Sequence, residues 1–141
     1  MFKTITSQNF KRYGKIIEYP NKASKGRVKN LFRIVHCEAQ KKGWRIAYLI
    51  VRDKAIGRLE KHPDSFESFE PIAGKSLLYV AADQNLDQIE CFLLDRPVVL
   101  KRGIWHGIVT LDQETEFKLT ENAQVKCVYW RLPHKLNSHN N

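Results

Sequence analysis

GRLEKHPDSFESFEPIAG, running from Gly57 to Gly74, crowds Glu60, His62, Glu67 and Glu70 between two glycines. Read as a strand leaving Gly57, the two-residue period sends Arg58, Glu60 and His62 to one face and Leu59 and Lys61 to the other. Pro63 has no N–H to give to a ladder, so it ends regular pairing, and the chain must turn before Glu67 can approach the same space. A single His or Glu on a strand is ordinarily a surface residue or a satisfied polar partner. What sets this stretch apart is the density and the common facing of its polar side chains.

Working outward, the pattern is strand after strand. Val28 to Cys37, Trp44 to Val51, Ala55 to Glu60, Ser76 to Ala82, Gln88 to Leu94, Pro97 to Leu100, Trp105 to Leu111, Thr115 to Leu119 and Val125 to Leu132 all read as extended. Lys42-Gly43, Asp53-Lys54, Ala73-Gly74, Asp95-Arg96, Asp112-Gln113 and Glu121-Asn122 supply turn chemistry between them. Eight or nine strands with turns at this spacing predict an all-β double sheet of jelly-roll type, whose open end holds one small ligand. At the amino end, Thr6-Ser7 offers a cap, Phe10 and Tyr13 fall at i and i+3, and Gly14 is a stop, which predicts a short helix lidding the sheet. Lys15 to Glu18 reads as a brief extended piece and Tyr19 to Lys29 as a basic loop. One domain is expected over residues 1–132, with the polar stretch 133–141 as a frayed tail.

The composition, 43% hydrophobic and 11% aromatic in 141 residues, is that of a globular chain able to bury a core. No apolar run reaches the eighteen or so residues of a membrane span, and the opening MFKTITSQNF lacks the apolar core of a signal peptide, so the expectation is a cytoplasmic chain away from membranes. Cys37, Cys91 and Cys127 are odd in number and widely spaced, which reads as buried thiols in a reducing compartment. The charge of +9 is uneven: residues 1–45 carry twelve Lys and Arg against two acids, a net of +10, and the rest twelve against thirteen, a net of −1. Lys22, Lys25, Arg27 and Lys29 form a basic cluster there. No helix-turn-helix, zinc-finger or RNA-binding motif accompanies it, so a nucleic-acid partner is not expected and a solvated face or an attraction for a small anionic metabolite is.

The spacing Glu60-x-His62-x4-Glu67-x6-Gly74 resembles the first metal motif of the cupin superfamily, with Glu60 where many cupins place histidine. Lys101-Arg102-Gly103-Ile104-Trp105-His106 resembles the second, PxGxxH, with Lys101 standing for proline. The resemblance implies a cupin-type double-stranded β-helix with Glu60, His62, Glu67 and His106 as metal ligands. Such a set suits manganese, iron, nickel or zinc, and its lack of thiolate argues against a structural zinc site. No organic cofactor is implied. Two further matches narrow the family. Phe10, Tyr13, Gly14, Ile17 and Glu18 fit the opening L-x-x-E-x-F-x-x-Y-G-x-V-I-E of ureidoglycolate lyases, also called ureidoglycolate hydrolases. Glu60-Lys61-His62-Pro63, Phe69, Pro71 and Gly74 fit their E-R-H-P…S-Q-x-F-x-P-x-x-G, and Gly103, Trp105 and His106 their x-x-W-H-H-P.

Covering Ile5 to about Arg131, this resemblance implies an enzyme, often a homodimer, that releases glyoxylate and urea from ureidoglycolate in purine-nitrogen (allantoin) catabolism. Four departures fall at expected pocket positions: Glu67 for the family's glutamine, Leu100-Lys101 for Tyr-His, Gly107 for histidine, and Trp130-Arg131 for Asp-Arg. For the chemistry, Glu67 is the candidate base with His62 and His106 as acids, and Lys101, Arg131, Tyr129 and Trp105 are the candidate substrate contacts. Glu67 also has a purely structural reading, as an ion pair with Lys101 or Arg58. Two other functions stay open on the sequence: a different metal-dependent cupin such as a sugar-acid isomerase or dioxygenase, and a non-catalytic cupin that binds a small ligand.

Overall fold

The computed structural model describes residues 1–19 and 30–139. Among the described residues, eleven strands are formed: β1 (Lys3–Thr4), β2 (Gly14–Ile16), β3 (Trp44–Val51), β4 (Ala55–Lys61), β5 (Glu67–Ala73), β6 (Ser76–Ala81), β7 (Glu90–Leu93), β8 (Val98–Leu100), β9 (Trp105–Thr110), β10 (Thr115–Asn122) and β11 (Val128–Asn137). One short 3-10 turn, Leu86–Gln88, is capped by the Asn85 side chain. The strands form a six-stranded sheet, β1-β7-β6-β9-β4-β11, and a five-stranded sheet, β2-β8-β5-β10-β3.

Antiparallel pairing is nested. β3 pairs with β10, β4 with β9, β5 with β8 and β6 with β7. Successive pairs alternate between the two sheets, so one long two-stranded ribbon winds around a common interior. That is a jelly roll, a double-stranded β-helix of the cupin type.

Period-two alternation decides what fills it. On β10, Thr115, Phe117, Leu119 and Glu121 are buried and their neighbours are not. The interior holds Phe10, Tyr13, Val51, Phe69, Leu78, Val80, Phe92, Val98, Leu100 and Phe117. β6 is buried along its whole length because its other face is also covered: Leu77, Tyr79 and Ala81 pack with Leu59, Trp105, Val109, Trp130 and Leu132 in a second apolar cluster. The tight turn after β8 depends on Gly103, at φ +73°, a conformation that costs a side-chain-bearing residue.

Four expectations are corrected. The predicted helix near Thr6 to Tyr13 is a pair of turns, closed by Phe10 N–H to Thr6 O and Gly14 N–H to Phe10 O. Asn9 bonds Thr6 N–H and the Thr4 carbonyl through its side chain, which competes with a helical ladder over a segment too short to repay nucleation. Phe10 and Tyr13 still lid the barrel, edge-on to Phe92. Of the predicted strand Val28 to Cys37, residues 28–29 lie outside the described residues, as does the basic cluster; residues 30–37 pair with no strand. β5, with its two glutamates and Pro71, forms where the sequence reading named no strand. Pro71 faces the point where the ladder to β10 shifts register between Glu116 and Phe117, and there a missing N–H is tolerated. Finally, residues 133–137 are not a tail: they complete β11, pairing Leu136 with Ile56 and Asn137 with Ala55, and the Tyr79 hydroxyl donates to the Asn137 carbonyl at 2.9 Å. No helix among the described residues is long and apolar enough to cross a membrane.

Candidate active site and metal centre

His62 lies just past the end of β4, His106 on β9 directly opposite Glu60, and Glu67 at the start of β5. The six-stranded sheet thus supplies two imidazoles and the facing sheet supplies the carboxylate that meets them. His106 Nε2 lies 3.0 Å from Glu67 Oε1, and His62 Nε2 lies 3.5 Å from Glu67 Oε2. The two rings are 5.1 Å apart, and Phe69 packs edge-on against His106. All three polar residues are buried.

The other nitrogens explain the orientation. His106 Nδ1 is 2.9 Å from the Ile104 carbonyl and His62 Nδ1 is 3.3 Å from the Lys126 carbonyl. Each Nδ1 donates to backbone, which leaves each Nε2 to the interior, the arrangement that metal-binding histidines use. Gly103 N–H in turn donates to the His62 carbonyl at 2.9 Å, tying the β8–β9 turn to the end of β4.

Charge follows geometry. Burial by itself would raise the Glu67 pKa, but His106 and His62 outweigh it and hold the carboxyl well below its usual range. Burial would likewise lower both histidines, and Glu67 more than offsets this, so both are raised. Glu121, the register partner of Glu67 across β5 and β10, is pushed up to about 7 by burial and by its hydrogen bond to Glu67, against the pull of Arg45. Arg45 grips Glu121 Oε2 with Nε at 2.8 Å and an NH2 group at 2.5 Å. Below about pH 7, Glu67 carries the charge of this carboxyl pair and Glu121 the proton.

Donor atoms of His62, Glu67 and His106 lie within 4.8 Å of one another. Glu67 Oε1 and His106 Nε2, though close, have no hydrogen bond of proper direction in this buried setting, so both keep unsatisfied lone-pair capacity aimed at one point. Two imidazoles and a carboxylate around such a point fit a divalent first-row metal.

Glu60, expected as a fourth ligand, stands at the rim. Its Oε1 is 3.8 Å from His106 Nε2, its side chain is 39% exposed, and its close grouping is with His62 and Cys127. Cys127 Sγ sits 3.6 Å from His62 Nδ1; it and Cys37 are exposed, so only Cys91 meets the expectation of buried thiols.

A cavity of about 750 Å³ opens beside the three residues, with Glu60, Glu67 and His106 on one side, Leu49, Phe69 and Leu119 among its apolar walls, and Arg52, Arg58 and Arg131 around it. It lies where β4 and β9 part, since the two strands are in register only at Glu60 and His106. Of the expected substrate contacts, Arg131 lines it. Lys101 is exposed beyond β8 and does not. Trp105 belongs to the second apolar cluster, against Trp130 and under the Lys61 ammonium, because it alternates with His106 and so faces the other side of the sheet. Tyr129 is half-exposed and packs its ring on the Arg58 guanidinium at 4.1 Å. Glu67 forms no ion pair with Lys101 or Arg58.

Sequence reasoning missed Glu121 and Arg58 as parts of the site. Glu121 was assigned to a turn, although continuing the alternation Thr115, Phe117, Leu119 would have turned it inward. Arg58 was seen to share a face with Glu60 and His62, but nothing local says which strand lies beside it. At Gly107, where the family has histidine, a Cβ would lie 2.4 Å from Ile56 Cδ1 and 3.0 Å from Leu59 Cδ2, so a side chain there needs only those methyl ends to shift.

Among solved structures, the chain is similar to oxalate decarboxylase from Bacillus subtilis, including one structure at pH 4.6, with 19% identity, a TM-score of 0.49, and 64% of this chain covered. A further structure of that enzyme, described with Mn(II) centres, gives 17% identity, a TM-score of 0.44 and 69% coverage. This chain spans 24% of the length of those solved chains. No curated protein sequence matches. The family model described as ureidoglycolate lyase matches residues 1–137. With that match over almost all of its length, the chain belongs to the ureidoglycolate lyase family.

Proposed function

We propose that the protein is a lyase that splits ureidoglycolate, or a close hydroxy-acid relative, into glyoxylate and urea, serving allantoin and purine-nitrogen catabolism in the cytoplasm. The observation that carries this reading is the convergence of two backbone-oriented imidazoles on Glu67 at the wall of a 750 Å³ cavity, in a chain of this family.

His62, Glu67 and His106 would hold the metal, manganese, iron, nickel or zinc. An ion bound there lowers the pKa of a substrate hydroxyl. The elimination itself needs three things: the carbinol O–H proton leaves, the oxygen lone pair forms the aldehyde as the C–N bond breaks, and a proton reaches the departing nitrogen. Glu67 is ill suited to take that proton, because its two histidines make it a weak base. Glu60 is better placed: it lines the cavity beside His106 and is not locked in the buried group. It accepts the hydroxyl proton and returns it to the urea nitrogen, while Leu49, Phe69 and Leu119 keep water from the reacting end.

The test is glyoxylate release by protein stripped with chelator and reloaded separately with each of the four metals. Turnover is expected with at least one, falling about 10²- to 10⁴-fold in Glu60→Gln and vanishing together with metal content in His106→Ala. No glyoxylate with any metal ends the proposal. A second reading, a metal-dependent cupin acting on a different acid, is favoured by Glu67 and Gly107 standing where the family has glutamine and histidine. Stoichiometric metal without glyoxylate release selects it.

A further inference from the structure

We infer that the cavity takes a hydroxy acid bearing a second anionic group, carboxylate or phosphate, and that Arg58 and Arg131 bind that group. The inference rests on the reading of the cavity as the substrate site, and within that reading selects a hydroxy-acid relative of ureidoglycolate, which itself carries a single carboxylate.

Arg58 on β4 and Arg131 on β11 are direct register partners, and both line the cavity. Like charges directly opposite in an antiparallel pair are destabilising. Neither guanidinium has a carboxylate within ion-pair distance among the described residues. Arg12, Arg45, Arg52, Arg96 and Arg102 each have one: Asp83, Glu121, Glu114, Asp95 and Glu38 respectively. The pair at the cavity thus has no carboxylate partner, unlike Arg12, Arg52, Arg96 and Arg102. Tyr129 props Arg58 from one side by a cation–π contact. The β4–β11 ladder shifts register immediately after Arg131, so regular pairing stops just past the Arg58–Arg131 pair. Two planar forks from register-paired positions, both exposed and both lining the cavity, suit an oxyanion of carboxylate or phosphate geometry.

Position gives the second half of the argument. Arg58 lies two residues from Glu60 on the same face, about 7 Å along the strand, and Glu60 is opposite His106. A hydroxy acid seated against His62, Glu67 and His106 places its own carboxylate and hydroxyl at that end. The arginines stand one step farther out, where a substrate with a single acid group leaves them unused. The volume of about 750 Å³ is likewise in the range of ligands well larger than ureidoglycolate.

Isothermal titration at fixed ionic strength, on manganese-loaded and on chelator-treated protein, compares acids that share one hydroxy-acid end. Malate is set against lactate, and 3-phosphoglycerate against glycerate. The expected result is about tenfold tighter binding of at least one dianion than of its monoanion, with the better arm identifying carboxylate or phosphate. In Arg58→Gln and in Arg131→Gln that ratio is expected to fall to within about twofold of one. Equal affinities within both pairs, or a ratio unchanged in both variants, overturn the inference. The two readings separate cleanly: a dianion preference without glyoxylate release removes the lyase and leaves this inference standing, and glyoxylate release without any dianion preference does the reverse.

Discussion

Glu67 and Glu121 are two buried carboxyls on neighbouring strands, and the charge on one raises the pKa of the other. The histidines decide which of them ionises first. Glu121, its pKa raised to about 7 from the ordinary value near 4.3, favours the folded state while it is protonated. That contribution is complete below the unfolded value and is lost as pH rises through about 7. His62 and His106 are also raised, so what they add is present below about 6.5 and is lost as pH climbs through their folded values. Glu67 is lowered, so its share persists at neutral pH and is lost only on acidification. The signs combine to predict that the melting temperature of chelator-treated protein falls between about pH 6 and about pH 8. Glu121→Gln, neutral throughout, is expected to fall less over the same range in a thermal-shift titration. A flat or rising profile for the unsubstituted protein contradicts this assignment of charge.

Among the elements, β5 and β11 show how much pairing can override local appearance. β5 contains two glutamates and a proline, yet it lies between β8 and β10. Ser68 assists by accepting the Thr120 N–H and donating to Glu70. β11 continues through Pro133-His134-Lys135, whose polar character reads as a frayed end, because Leu136 returns to the ladder and to the second apolar cluster. Ending the chain at Leu132 is therefore expected to lower stability by about 2 kcal/mol, the scale of one partly buried leucine with its backbone bonds. A thermal melt unchanged by that truncation shows the second half of β11 to be dispensable. The N-terminal turns make the converse point: Phe10 and Tyr13 are held by Phe92 whether or not the segment is helical, so their burial survived an error about the backbone.

For the whole molecule, the ribbon topology closes most of the sheet surface, but β3 is left as an edge. Trp44, Ile46, Tyr48 and Ile50 project from its outer face, exposed by 69%, 57%, 60% and 41%. Together they show on the order of 500 Å² of apolar surface, comparable to the largest patch on an ordinary monomer. The strand has no proline, glycine or lysine to discourage pairing. Antiparallel pairing with a second copy, about a two-fold axis at Ala47, would set Trp44 against the partner's Ile50 and Ile46 against the partner's Tyr48, a self-complementary contact. The expectation is a dimer in sedimentation equilibrium that becomes monomeric in Tyr48→Glu with its fold intact by circular dichroism. A monomeric unsubstituted protein rules this surface out as a homodimer contact.

The β-rich class and most strand positions were legible in the residues, because each depends on neighbours within a few positions and on the two-residue period of a strand, whereas His62 and His106 were singled out by the resemblance to the cupin motifs. Local alternation also correctly put Arg58, Glu60 and His62 on one face. What period alone left open was which face of β11 is the lumen, and which strands lie side by side. Those are matters of register between residues far apart in the chain: Glu67 beside Glu121, Arg58 beside Arg131, His106 opposite Glu60. Only the wound ribbon brings such pairs together, so the protonation of the carboxyl pair, the uncompensated arginines and the exclusion of Lys101 and Trp105 from the cavity belong to the tertiary structure.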